Sequence, residues 1–188
     1  MKTTLIIFLT FTYLIISCQE SYQPKPQAML SLKYPVPKHK KFSEGLPFAF
    51  EYNSFAKIKR STKKAPNIEY QQMDATLYLS YMPISNNLDS LLNDAYKLPA
   101  KHMIKAEEIP ERIFINHDRN VYGVLFSVIG DAASQLQFFL TDSTQNFVMG
   151  SLYFYSRPNY DSIMPAAKYI ERDVIHLMET LRWSNKIK

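Results

Sequence analysis

Few residues in this chain could do chemistry, and their spacing narrows the choice. The one cysteine, Cys18, directly follows Ile15-Ile16-Ser17, so a thiol nucleophile stands beside a small residue at the end of an apolar run. A single cysteine excludes an internal disulfide and any multi-cysteine zinc or iron–sulfur site. The histidines are His39, His102, His117 and His176. No pair has i,i+4 spacing and no His-Glu-x-x-His occurs, so no metal site is expected. His117-Asp118 reads as part of a polar turn. No serine stands in Gly-x-Ser-x-Gly, and Ser127, Ser134 and Ser151 read as strand or turn residues. Glu107-Glu108, or Asp131 with Asp142, would serve glycoside hydrolysis only as a facing pair about 5–10 Å apart. Acids in turns are ordinary, and sequence cannot test that separation. Glycines at 45, 123, 130 and 150 cannot form a phosphate-binding loop, and no cofactor is expected.

Two groups remain as candidate interaction surfaces. Lys101, His102 and Lys105 form a basic cluster suited to an acidic partner, although a helix C-terminus attracts cations anyway. Tyr78, Tyr81 and Tyr122, with Tyr153 and Tyr155, would leave aromatic surface on a sheet unless a helix covers it. Exposed surface of that kind marks protein contacts.

The elements that must position these residues begin with an address. Met1 and Lys2 precede Leu5–Ile16, an apolar run of twelve. A membrane span needs roughly 20 residues, so the run fits a signal peptide instead. Ile15-Ile16-Ser17-Cys18 resembles the lipobox of bacterial lipoproteins. The resemblance implies cleavage of residues 1–17, a thioether diacylglycerol on Cys18, and acylation, as by palmitate, of the new amino terminus. Several acyl chains anchor a domain stably.

Residues 18–44 read as a Pro- and Lys-rich tether, and 45–188 as one globular domain. From 18 to 64 there are ten basic and three acidic residues; from 65 to 188 there are eleven and fourteen. The basic part lies beside the lipid, where head-group contact is one reading and a solvated face the blander one. Nucleic acid is a poor partner, because the export signal sends the chain away from it.

Period-2 alternation predicts strands over 46–52 and 55–59, paired through a turn at Asn53-Ser54, and over 75–81. A helix capped by Asn87 or Ser85 follows, running to Leu98, where Pro99 should kink or end it unless it resumes through Lys101–Ala106. Strands over 111–116, 120–129, 133–141 and 146–155 should form an antiparallel meander. The run 147–155 is apolar on both faces, which suggests a central strand covered on each side. The last helix, capped by Asn159 or Asp161, carries a stripe through Ile163, Ala167, Ile170, Val174, Leu177, Met178 and Leu181, with Pro165 in its first turn. The class is α+β: a mainly antiparallel sheet of about seven strands with two helices.

The order and spacing of several segments resemble a known family. They are Ala75-Thr-Leu-Tyr-Leu-Ser-Tyr81, Lys101-His-Met-Ile-Lys-Ala106, Val121-Tyr-Gly123, Gly130-Asp-Ala-Ala-Ser134, Gln137-Phe138, Thr141-Asp-Ser-Thr144, Gly150-Ser-Leu-Tyr-Phe154 and Pro158-Asn-Tyr-Asp-Ser162. Over most of 45–184 the chain resembles the gliding-motility lipoproteins GldD of Bacteroidota. It departs from them at Asp131, where Asn is expected, and at Pro99. The resemblance implies a membrane-anchored, non-catalytic component tied to the motility and type IX secretion machinery. Gln19–Gln23 lacks the acidic run of surface-exported lipoproteins, so an outer-membrane, periplasm-facing location is expected. The segments Leu46–Phe50 and Thr180–Trp183 also resemble the Mog1/PsbP-type α/β/α sandwich, a likeness of fold that carries no function. A periplasmic cell-wall hydrolase and a small-ligand carrier are the rival readings.

Replacing the thiol tests the address directly. Cys18→Ser is expected to abolish lipoprotein-type cleavage and to move the protein out of the membrane fraction, read by gel mobility and fractionation. Unchanged cleavage and partition would refute the lipobox.

Overall fold

Alternating apolar residues and the turns between them build most of the sheet. The structure, a computed structural model, describes residues 34–61, 64–156 and 159–184. Cys18, the signal segment and most of the tether therefore lie outside the described residues. The strands up to the first helix are β1 (His39–Phe42), β2 (Phe48–Asn53), β3 (Lys57–Ser61), β4 (Lys64–Tyr70) and β5 (Ala75–Pro83). Helix α1 (Leu88–Ala100) follows, then β6 (Ala106–Glu108), β7 (Glu111–Asn116), β8 (Val121–Ser127), β9 (Ile129–Gly130), β10 (Ser134–Thr141) and β11 (Asn146–Phe154). Helix α2 (Tyr160–Thr180) and the short β12 (Arg182–Trp183) close the fold.

Seven strands form one antiparallel sheet in the order β3-β4-β5-β11-β10-β8-β7, which with the two helices is the expected α+β class. β11 is its middle strand, and its two apolar faces meet two separate cores. Phe147, with Phe139, Val124 and Phe126 of neighbouring strands, packs under Leu91 and Ala95 of α1. Val148 and Leu152, with Leu77, Leu125, Phe138 and Leu140, pack under Ile170, Val174 and Leu177 of α2. On the α1 side, the buried side-chain amide of Gln137 has no hydrogen-bond partner.

A small sheet, β1-β2-β12, extends the α2 side. A buried polar cluster ties it down: Asn53 Nδ2 donates to Tyr169 Oη at 2.8 Å and to Asp173 Oδ2 at 2.9 Å. Tyr169 Oη donates in turn to the Pro35 carbonyl at 2.9 Å, and its ring stacks on Tyr34 at 4.9 Å. Burial pushes the Asp173 carboxyl above the usual aspartate value, against the hydrogen bonds from Asn53 and Tyr70.

Four local expectations change. β2 and β3 do not pair; β2 lies between β1 and β12, and β3 pairs with β4. Asn53 causes this, because its buried amide is held by α2 while its Oδ1 accepts the Phe55 N–H, turning the chain away. Residues 39–42, assigned to the tether, form a lysine-bearing strand at the edge of the small sheet, a composition that blunts unwanted pairing. β4 escaped notice because Pro66 demotes a strand. Pro66 falls where β4 shifts register against β3 and has no β5 partner, so no ladder bond is lost. Finally, α2 starts at Tyr160 with Asn159 as its cap, accepting the Ser162 N–H, so Pro165 lies in the second turn rather than the first.

Gly123 and Gly150 mark close approaches between strands. A Cβ at Gly123 would stand 1.9 Å from the Phe139 carbonyl oxygen, and one at Gly150 would stand 2.1 Å from the Phe138 ring. A ring can rotate; a laddered carbonyl cannot. Gly123→Ala is expected to lower stability by at least about 2 kcal/mol and Gly150→Ala by less, the scale of overpacking. Urea denaturation checks both, and a neutral Gly123→Ala would overturn the argument.

Candidate functional site

The basic cluster lies just past the end of α1. Pro99 is buried in the last turn and the helix stops one residue later, at Ala100, without resuming. A tight turn follows. The His102 N–H donates to the Pro99 carbonyl, and the Lys105 and Ala106 N–H groups both donate to the His102 carbonyl, each at 2.9 Å. The turn leaves Met103 66% and Ile104 96% exposed, between exposed Lys101 and Lys105. His102 is half-buried, and burial, then the Lys101 charge, lower its pKa. Its ring is therefore neutral at pH 7, and the positive charge of the cluster comes from the two lysines. Beside this tip opens a groove of about 330 Å³, lined by Tyr96, Met103, Glu107, Glu108, Ile109 and Phe126 among others. The tip thus combines exposed apolar surface with both lysines and glutamates, Lys105 and Glu107 bordering one surface depression.

The three tyrosines do not join the basic cluster or one another. Tyr78 is 38% exposed on the α1 side of β5, where its hydroxyl pairs with that of Tyr155 at 2.7 Å. Tyr155 also donates to Thr76 Oγ1 at 3.1 Å, and the Tyr153 ring meets Tyr78 edge-on at 5.8 Å. This stretch of the sheet shows tyrosine surface. Tyr81 points to the opposite face. It is half-buried against Phe48, its hydroxyl held by Asn146 Oδ1 at 2.9 Å, so it is a packing residue rather than part of a surface. Tyr122 is half-buried beside His117, with ring centroids 5.8 Å apart.

The carboxylates named for hydrolysis are occupied separately. Asp131 Oδ1 accepts the Tyr160 N–H at 2.7 Å, satisfying an orphan donor at the start of α2. Asp142 Oδ1 accepts the N–H groups of Thr144, Gln145 and Asn146, while Oδ2 accepts the Asn146 amide. Burial alone would raise the Asp142 carboxyl, but these bonds outweigh it and hold the pKa below the usual value. The two acids line different surface depressions.

A histidine pair that sequence spacing could not reveal does come together. The rings of His39 and His176 stack with centroids 3.6 Å apart, and His176 Nε2 lies 2.9 Å from Glu51 Oε2. Among the described residues, no group of three or more His, Cys, Asp or Glu is placed to hold a metal ion. Sequence reading also missed Met103 and Ile104. The available signal was an apolar dipeptide between two lysines, off the stripe of the preceding helix.

Asp142→Ala tests the role of that carboxylate as a turn clamp. Loss of its hydrogen bonds is expected to cost about 1–2 kcal/mol at pH 7. Because the folded pKa is depressed, the difference from wild type is full above the ordinary aspartate range and fades as pH falls through the folded value. Urea midpoints across pH check this; a gap that persists in strong acid would contradict it.

Comparison with known proteins adds the family. The family model for the gliding motility lipoprotein GldD matches residues 19–183. Among curated proteins, none matches the chain. Among the described residues, no helix is long and apolar enough to cross a membrane. The match spans the sheet, both helices and the tip after α1, and on that extent the chain belongs to the GldD family of gliding motility lipoproteins.

Proposed function

We propose that this protein is a non-catalytic docking module, held at the outer membrane by lipid on Cys18 and facing the periplasm. It joins a subunit of the motility and type IX secretion apparatus. The carrying observation is the tip at residues 101–105, with Ile104 96% exposed on a turn closed by backbone hydrogen bonds. Burying such a side chain in a partner is worth roughly 1.5–3 kcal/mol. Lys101 and Lys105, with Glu107 and Glu108 nearby, give orientation, since complementary charge sets register more than affinity. Tyr78 and Tyr155 offer a second contact area on the same side of the sheet as α1. Family membership supports the motility role, and the capping and turn duties of Asp131 and Asp142 weigh against the hydrolase reading.

A clean deletion is expected to abolish gliding. Complementation with Lys101→Glu/Ile104→Asp is expected to leave the protein folded and membrane-bound but to reduce spreading and partner crosslinks at least tenfold. Normal spreading of the deletion refutes the motility role. Normal spreading and crosslinking of the double variant refute the tip.

A further inference from the structure

The two edges of the seven-stranded sheet are treated differently. At one edge, β3 carries exposed Lys57, Lys59 and Arg60, the usual defence against edge pairing. At the other, β7 pairs with β8 on one side and, among the described residues, with no strand on the other. Its exposed face carries Ile113 and Ile115, 72% and 60% exposed.

The phase of the ladder shows what the open edge offers. The Ser127 N–H donates to the Pro110 carbonyl at 3.0 Å, and these residues lie opposite each other when the β7–β8 register is continued. Antiparallel strands alternate between hydrogen-bonded and non-bonded pairs. Residues 112, 114 and 116 therefore turn their backbone groups toward β8, while 111, 113 and 115 turn theirs outward. The outward residues carry the exposed isoleucines.

From this edge we infer that two copies of the chain join β7 to β7 as antiparallel strands about a two-fold axis at Phe114. That register sets Ile113 opposite Ile115 of the second copy, and the reverse, so four isoleucines close on one face. Their outward N–H and C=O groups are in phase to exchange hydrogen bonds. On the other face Phe114 meets its own copy, and Arg112 meets Asn116. Past the end of the strand, His117 opens the turn to β8, and its ring packs on Tyr122, the cross-strand partner of Ile115, so it lies beside the isoleucine face. The sequence Arg-Ile-Phe-Ile-Asn over 112–116 thus sets apolar against apolar and polar against polar when it is read backwards. A strand offset by one residue would lose this, because it would send the isoleucines to opposite faces. Confinement to a membrane raises the effective concentration of the copies and favours a modest interface.

The test uses full-length, membrane-bound protein. Two tagged copies, one Arg112→Cys and one Asn116→Cys, are co-expressed, oxidised and run without reductant. A mixed disulfide dimer is expected, since opposed residues in such a non-bonded pair have Cα atoms about 4.5 Å apart, within disulfide range. Either copy alone should give at least tenfold less dimer, because like positions then lie roughly 13 Å apart along the strand. Adding Ile113→Lys/Ile115→Lys to both copies should remove the crosslink while leaving the thermal melt of the purified protein unchanged, as both side chains are exposed. Absence of the mixed dimer, equal crosslinking by one copy alone, or capture of a different envelope protein instead of the second copy would each overturn the proposal.

Discussion

The fold depends on one strand that is buried on both faces where it begins. β11 joins two parts of the sheet that, among the described residues, have no other strand pairing between them: β3–β5 on one side and β10, β8 and β7 on the other. Because Phe147 and Val148 are both fully buried and point opposite ways, each half needs a helix above and below that junction. This is why α1 and α2 lie on opposite faces. Gly150 lets the Phe138 ring lie across the strand and seal the α2 core.

A second constraint is polar. Asn53, Tyr169 and Asp173 form a buried cluster that fixes the small sheet and the segment around Pro35 to α2. Apolar packing fits many registers, whereas buried amide and carboxyl groups tolerate few, because leaving one unpaired costs about 1–3 kcal/mol. The cluster thus decides where β2 ends and which way the chain turns next. It also separates the small sheet from β3, which an apolar pattern alone would have joined into a hairpin.

What could be read from sequence follows the same division. The double-faced apolar run at 147–155, the stripe of the last helix and the meander from 111 onward were legible, because burial writes a period into the residues. The pairing of β2 was not, since Asn53 looks like any turn residue until the acid 120 positions later is folded against it. β4 was masked by Pro66, and β1 by lysines that suit an edge strand as well as a tether. The candidate site was legible in part. Lys101 and Lys105 were visible as charge, but Met103 and Ile104 gain their meaning from the turn that stops α1 from continuing. Tyr81 and Tyr78 look alike in sequence, yet strand alternation packs one against the α2-side core and turns the other to the partly exposed α1 side.

The bond from Tyr169 to the Pro35 carbonyl has a consequence for geometry at the membrane. The folded body begins before the expected end of the tether at residue 44, where Tyr34 stacks on the Tyr169 ring of α2. Sixteen positions separate Cys18 from Tyr34. A chain of that length spans at most about 55 Å. On the proposed lipidation of Cys18, that covalent length is an upper bound on how far Tyr34 can stand from the bilayer surface.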